Sequence, residues 1–560
     1  MFNQFTTELR EINSLKIRDY VSLSLLFLFS SFFDLIGLSL IGPFVQNFFI
    51  EDVSKNNFLL ANFEDTFLES ENFFFLTSLV LILVFLSKGL FGYLVIRKII
   101  IFASMQQAKL ITDLSQKLII SKKNTQPNSQ IISNFLYNIR IYIEQTLMSI
   151  LRLIAEAIIT LSIIIFLMIN FFKLSVLIIT FLFLSFLIYF YLIQKKIYRY
   201  GKIASNSSEK MIEDTNNILN GYRDIIIYSK EKFFHENIKF NTYNQMLSGA
   251  KANAFTQLPK YFFDAFFASS FIIFLYFGKN MFPKSEMLLY ISVVGLATYR
   301  LLPSLFQISI CISNLKFSRP HLFEISKISR ELKFKDQIIL NSNLNFDEIN
   351  SIEIKNLNFS YSETKESQIF KNFNLKISNG DSIFISGRSG VGKSTLANII
   401  SGFVKPDSGD LFVNNVKIND IISFSKKYVS YSSQNIFLTR GSIVENITMF
   451  EKNVDENKLK TALEVSCCNE FLKKKNIDQN FLISDYGKNF SGGEKQRIQL
   501  ARSLYFDKKI MIFDEATSAI EKNLEISFLK KLSNLVKDKI VIFISHREKN
   551  KEFFNKNLNL

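Results

Sequence analysis

Tryptophan is absent from this 560-residue chain, and cysteine (3), histidine (3), proline (7) and glycine (19) are scarce. Three cysteines, Cys311 and the adjacent Cys467 and Cys468, give no disulfide framework and read as small buried hydrophobes. Nothing before Tyr20 has the length or the Cys/His pair of a protease domain. No A-x-A-like exit follows the first apolar stretch, so no cleavable signal peptide is expected. Internal repeats and low-complexity tracts are also missing, which excludes solenoid and linker-type architectures.

What the chain has in excess is apolar residues, 48% with 61 Phe, beside 66 Lys and Arg against 50 Asp and Glu. The two properties are segregated. Apolar runs with few charges occur at about 20–45, 73–96, 146–172, 174–194, 261–278 and 287–314. Each is long enough to cross a hydrocarbon core of about 30 Å, which predicts six transmembrane helices in a domain spanning 1–314. Loops assigned alternately to the two sides are unequally charged. Segments 97–145 and 195–260 contain 7 and 11 Lys plus Arg, whereas 46–72, 173 and 279–286 contain 1, 1 and 2. That asymmetry puts both termini in the cytoplasm. Basic cytoplasmic loops also account for the net charge of +16 without a nucleic-acid partner. Residues 315–350 read as a charged linker, and from Ser351 to Leu560 short β-branched runs alternate with polar helical stretches, as in a cytoplasmic α/β domain.

The glycines that are present concentrate in GRSGVGKST, residues 387–395. Gly387, Gly392, Lys393 and Ser394 fit G-x-x-x-x-G-K-[ST], between the apolar run SIFIS and the helical-looking STLANIISGF. Small residues there let backbone N–H groups converge on phosphate, the lysine reaches the β/γ oxygens, and the hydroxyl reaches Mg²⁺. Ser389, Gly390 and Thr395 belong to the same predicted ATP-binding loop. Far downstream, KKIMIFDEATSAIE places Asp514 and Glu515 at the end of an apolar strand. The first is expected to hold Mg²⁺ with Ser394, the second to polarise an attacking water.

NFSGGEKQRIQLAR at 489–502 is similar to the signature sequence of ATP-binding cassette (ABC) transporters, with Phe490 in place of the usual leucine before Ser491, Gly492 and Gly493. The resemblance implies a composite site, in which the P-loop of one cassette holds ATP and the signature residues of an opposite cassette cap its γ-phosphate. One chain supplies one cassette, so a homodimer or a heterodimer with a related half-transporter is implied. By the same resemblance Tyr361 is the aromatic that stacks on adenine, Gln434 in YSSQNIF is the Q-loop residue contacting Mg²⁺ or water, and His546 in ISHRE is the switch histidine. There are departures. Glu521 stands where the family has aspartate in the D-loop, Ser484-Asp485 stands where exporters have Gly-Glu, and against the family pattern an abbreviated end to the cassette is expected after His546.

Six helices before one cassette resemble a type IV exporter half-transporter: a membrane α-helical domain fused to an α/β P-loop ATP-binding cassette, in a bacterial inner membrane. GYRDIIIYSKEKFF at 221–234 lies where the second coupling helix is expected, and it also reads as a basic amphipathic helix. SFFDLIGLSLIGPF at 31–44 and YRLLPSL at 299–305 resemble the first and sixth helices of the lipid-linked oligosaccharide flippase subgroup. That implies an ATP-driven flippase for a lipid-linked or amphipathic substrate, with export of peptides or hydrophobic drugs as the alternative. Lys88, Arg152 and Arg300 lie within apolar spans. Arg152 has Glu156 one turn away, and Asp34 or Asp264 are available to Lys88 and Arg300; otherwise Lys88 and Arg300 suit an anionic head group.

Overall fold

The computed structural model describes residues 71–120, 128–170, 172–281, 284–336, 346–361, 368–484, 487–535 and 537–560, together with Thr7, Phe32 and Ile36. It divides between Lys335 and Asp336 into two units.

The first unit is helical. Helix α1 spans Glu71–Ile120, a continuous helical segment α2 spans 128–170, and α3 (Phe172–Ile227), α4 (Glu231–Met281) and α5 (Lys284–Asp336) follow. Helices of 50 to 56 residues are more than twice the ~20 that cross a bilayer core, so α1, α3, α4 and α5 each continue from an apolar run into polar sequence. The predicted spans at 73–96, 261–278 and 287–314 fall within α1, α4 and α5, and those at 146–172 and 174–194 overlap α2 and α3. The span at 20–45 lies outside the described residues, Phe32 and Ile36 excepted. Two described stretches, Ser78–Ile119 and Ser129–Ile169, are long and apolar enough to cross a membrane.

The start of the expected linker is instead helix, because α5 runs on to Asp336. Its pattern explains why: Phe317 and Ser318, His321 and Leu322, Ile325 and Ser326, and Ile328 and Ser329 are all buried. That spacing makes one continuous helical stripe, while Lys327 and Arg330 face outward. Leu322, Ile325 and Ile328 pack with Leu110 and Leu114 of α1 and Ile139, Tyr142 and Leu147 of α2. Segment 221–234 forms the turn between α3 and α4, with Ser229 at φ 53° and Lys230 N–H donating to Ile225 O at 2.8 Å. Tyr222, Ile226, Ile227, Tyr228 and Phe233 are exposed around it.

Within α2 the backbone twice widens into π-helix, at Asn134–Asn138 and Tyr142–Leu147. Neutral polar side chains are buried there. His321 Nδ1 lies 2.6 Å from Asn138 Oδ1, Asn138 donates to Asn134 Oδ1 at 2.8 Å, and Thr146 and Ser318 share a hydroxyl hydrogen bond of 2.7 Å.

The second unit is an α/β cassette. Strands β1 (Ser351–Ser360) and β2 (Gln368–Ser378) are antiparallel; β3 (Ser382–Ser386) leads through the P-loop into α6 (Lys393–Ile400). Next come β4 (Ser408–Val413), β5 (Val416–Lys417), α7 (Ile421–Tyr428) and β6 (Val429–Ser432). A smaller helical region, with β7 (Gly441–Ser442), α8 (Ile443–Thr448), α9 (Glu456–Val465), α10 (Cys468–Lys475) and β8 (Leu482–Ile483), precedes α11 (Gly492–Tyr505). The chain closes through β9 (Ile510–Asp514), α12 (Lys522–Leu535), β10 (Ile540–Ile544) and β11 (Lys556–Asn559). Strands β2-β1-β4-β5 form one sheet, β11-β3-β10-β9-β6 a second whose pairings are all parallel, and β7 and β8 a two-stranded third.

A parallel sheet covered on both faces needs strands that are apolar on both sides, and IMIFD and IVIFI are buried at every position. Alternate residues then separate by size. Phe384, Phe513 and Phe543 enter one core with the helical region, while Ile385, Ile512 and Ile542 enter the other with α6 and the antiparallel sheet. Phe490, the unexpected signature residue, fills a gap among aromatics, with ring centroids 6.0 Å from Phe471 and 6.1 Å from Phe481, and Lys475 Nζ 4.8 Å above it.

Candidate functional site

Ligands of open parallel α/β sheets gather at the carboxyl ends of the strands, and here four strands end together. Ile385 on β3, Ile544 on β10 and Asp514 on β9 stand in adjacent registers, with Ser432 of β6 opposite Phe513. The P-loop therefore leaves β3 beside Asp514-Glu515, Ser545-His546 and the Gln434 loop.

Glycine is required in the loop for two separate reasons. Gly387, Gly390 and Gly392 have φ of 147°, 82° and 107°, a region that side chains disfavour. A Cβ on Gly392 would also lie 2.4 Å from Ile369 Cγ2. Ser389 and Gly390 are exposed, whereas Lys393 and Thr395 are buried. The Lys393 ammonium donates to the carbonyls of Gly387 at 2.9 Å and Arg388 at 3.0 Å, so it points into the loop. Tyr361 presents an exposed ring next to this helix start, with its hydroxyl 3.2 Å from Thr395 Oγ1.

Ser394 Oγ donates to Asp514 Oδ1 at 3.0 Å across 120 residues of sequence. Burial raises the Asp514 pKa, and the neighbouring Glu515 charge adds to this, against hydrogen bonds from Ser394 and Tyr431 and the Lys393 charge. Hydroxyl and carboxylate oxygens are hard donors that suit Mg²⁺. Among the described residues no group of three or more His, Cys, Asp and Glu is placed to hold a metal. The pair thus fits an ion that arrives with phosphate oxygens rather than one caged by protein.

Glu515 follows at φ 51°, left-handed for a non-glycine residue, with its N–H tethered to Ile544 O at 3.0 Å. That turn lifts the side chain out of the sheet. Gln434 Nε2 donates to one carboxylate oxygen at 2.8 Å, and His546 Nε2 lies 3.0 Å from the other. Three residues far apart in sequence are thus brought together.

The signature residues form a different surface. Ser491 caps α11 in a reciprocal box with Glu494, which Lys475 also holds at 2.9 Å. Ser491 and Gly492 are exposed at this helix start. A Cβ on Gly493 would lie 2.7 Å from Ala519 O, and Gln496 bonds Ser518 Oγ and Ala519 N–H at 2.8 and 2.7 Å. Signature helix and D-loop are therefore joined. Glu521 is exposed and bonds through its backbone O to Glu525 N–H at 2.9 Å; Asp485 lies outside the described residues.

Sequence reasoning missed several partners. Glu525, 1% exposed, accepts from Thr517 Oγ1 at 2.6 Å, Asn550 Nδ2 at 2.8 Å and Arg547. Arg547 also holds the Ser518 and Ile520 carbonyls at 3.1 and 3.2 Å, tying the D-loop to the residue after His546. Tyr431 and Asn398 were missed as well. An acid and a base 22 residues apart carry no local signal, and a strand tyrosine reads simply as β-propensity.

In the helical unit, Lys88 is half-buried with its ammonium 5.7 Å from the Phe85 ring. Arg152 and Asp264 are exposed and Glu156 is half-buried. Arg300 lies on α5 with its side chain outside the described residues, as is Asp34.

Residues 370–518 match the family described as ABC transporter. The alpha-hemolysin translocation ATP-binding protein HlyB of Escherichia coli O157:H7 is 36% identical over 198 residues, 35% of this chain and 28% of that protein. The ATP-dependent lipid A-core flippase of Wigglesworthia glossinidia brevipalpis is 34% identical over 198 residues, 35% of this chain and 34% of that protein. ABC transporter B family member 21 of Arabidopsis thaliana is 32% identical over 197 residues, covering 15% of its length. The aligned part thus spans about a third or less of these curated relatives. A solved bacterial Atm1-family ABC exporter with ATP bound shares the fold at a TM-score of 0.78 and 16% identity, over 98% of this chain and 94% of its own.

Proposed function

We propose that this chain, whose residues 370–518 match the ABC transporter family and which shares the fold of a solved bacterial ABC exporter, is an ATP-hydrolysing exporter working by alternating access. The observation that carries this reading is the convergence of the Ser394–Asp514 pair and the Gln434–Glu515–His546 group at the carboxyl edge of one sheet. Glu515 is the general base for the attacking water, with Gln434 and His546 fixing its two oxygens. Lys393 and the P-loop N–H groups bind the β- and γ-phosphates, and Tyr361 stacks on adenine. Mg²⁺, when bound, neutralises charge on the transferring phosphoryl group, held by Ser394 and Asp514 with Gln434 nearby.

The exposed Ser491-Gly492 helix start is an anion-binding surface that we assign to the nucleotide of a second chain, a homodimer being the simplest assembly. The helical unit would sit in a bacterial inner membrane with both termini cytoplasmic. Its cargo would be a lipid-linked or amphipathic substrate, such as a lipid-linked oligosaccharide.

The decisive experiment is Glu515→Gln in reconstituted protein. ATP hydrolysis should fall by about 10²–10⁴-fold while ATP remains bound; turnover at the wild-type rate removes the base assignment. For the cargo, Arg300→Ala should lower ATPase stimulation by a pyrophosphate-linked lipid. Unchanged stimulation moves the assignment to peptides or hydrophobic drugs.

A further inference from the structure

Tyr431 stands on β6, three residues before Gln434, and neither the motifs nor the steps above use it. Its hydroxyl is 3.1 Å from Asp514 Oδ2 and 3.2 Å from Asn398 Oδ1 on α6. The two oxygens of Asp514 are thus separately held, Oδ1 by Ser394 and Oδ2 by Tyr431. A phenol has one proton to donate, and the ionised carboxylate is the stronger of its two acceptors. A phenol keeps its proton at neutral pH, so the hydroxyl is a donor to the carboxylate. The ring itself is packed, paired in register with Ile512 and 6.0 Å from the Phe403 ring, so its direction is fixed by the sheet.

We propose that Tyr431 is a positioning residue for Mg²⁺: by holding Oδ2 it orients the Asp514 carboxylate so that Oδ1 faces Ser394 and the metal. The same hydroxyl lies against the Asn398 amide, between the strand leading to Gln434 and the helix of the P-loop. The proposal rests on the reading of this site as an Mg²⁺-dependent ATPase. Outer partners of a metal-ligating carboxylate usually change metal affinity about 10–100-fold when removed, because the carboxylate must otherwise be reoriented on binding.

The test uses the full-length protein. Wild type is first measured for ATP hydrolysis and for Mn²⁺ binding in the presence of ATP, read by electron paramagnetic resonance; failure of both overturns the ATPase reading itself. With wild type active, Tyr431→Phe keeps the ring and removes only the hydroxyl. It should raise the Mn²⁺ dissociation constant, and the free Mg²⁺ giving half-maximal hydrolysis, by about 10-fold. ATP binding in EDTA should stay unchanged. Asn398→Ala should move metal affinity in the same direction by less, and it provides the measurement if Tyr431→Phe does not fold. Unchanged Mn²⁺ affinity in a folded variant overturns the proposal. Equal loss of ATP binding in EDTA also overturns it, because the tyrosine would then hold the site together in general rather than aim the metal ligand.

Discussion

The two units bury polar groups in opposite ways. The cassette buries charge: Asp514 and Glu525 are 2% and 1% exposed, and each is surrounded by donors from several strand ends. The helical unit buries neutral groups, pairing His321 with Asn138 and Thr146 with Ser318 between α2 and α5. Among the described residues some buried atoms there have no hydrogen-bond partner, including His321 Nε2, Ser304 Oγ and both polar atoms of Gln194, as do Ser430 Oγ, Ser432 Oγ and Arg497 Nε in the cassette. A charged group fixed by many donors has one good geometry. Neutral groups with unused capacity can exchange partners at small cost. The first arrangement suits a site of fixed geometry.

That contrast can be broken most directly in the cassette. Arg547→Ala leaves the Glu525 carboxylate buried without its cation, and should cost about 3–5 kcal/mol of cassette stability by thermal or denaturant unfolding. A loss below 1 kcal/mol would mean that Thr517 and Asn550 suffice and that the charge is not a constraint.

The helical unit should respond to the creation of charge instead. Burial lowers the His321 pKa to about 3, while an unfolded histidine titrates near 6.5. The unfolded chain therefore binds the proton first, and stability that is present above about pH 6.5 is lost as pH falls toward 3. Acidification to pH 5 should cost about 2 kcal/mol, and His321→Gln should remove that dependence. An identical pH profile in the variant would assign the loss to other groups.

The smallest effect belongs to the exposed pair Arg140–Glu144, 2.8 Å apart with both side chains in solvent. Arg140→Ala should leave the unfolding midpoint indistinguishable from wild type. A larger change would show that surface charge matters in the helical unit after all.

The same contrast governs what could be read in advance. Cassette chemistry is written in short contiguous stretches, because a P-loop, a strand-end Asp-Glu and a helix cap are local structures. Gly387–Thr395, Asp514-Glu515 and Ser491–Gly493 were legible for that reason. Tyr431, Asn398, Glu525 and Arg547 were not, since each acts through a contact set only by sheet register. In the helical unit the apolar runs were plain, but residues 315–336 were misread. Their charges mask a buried stripe of serine, histidine and aliphatic residues that only helical spacing reveals. The π segments of α2 have no sequence signal of their own, because they arise from how the helix packs.

The order of strands in the parallel sheet bears on how the protein is made. Strand β3, which leads into the P-loop, pairs with β10 and β11, about 160 and about 170 residues later in the chain. During synthesis SIFIS emerges early and waits, apolar on both sides, while its neighbours have not yet left the ribosome. Such long-range parallel pairing is slow and exposes sticky edges. The sheet beneath the P-loop cannot be complete until residues 540–559 have been made, so a chain stalled before residue 540 would expose an open apolar strand edge.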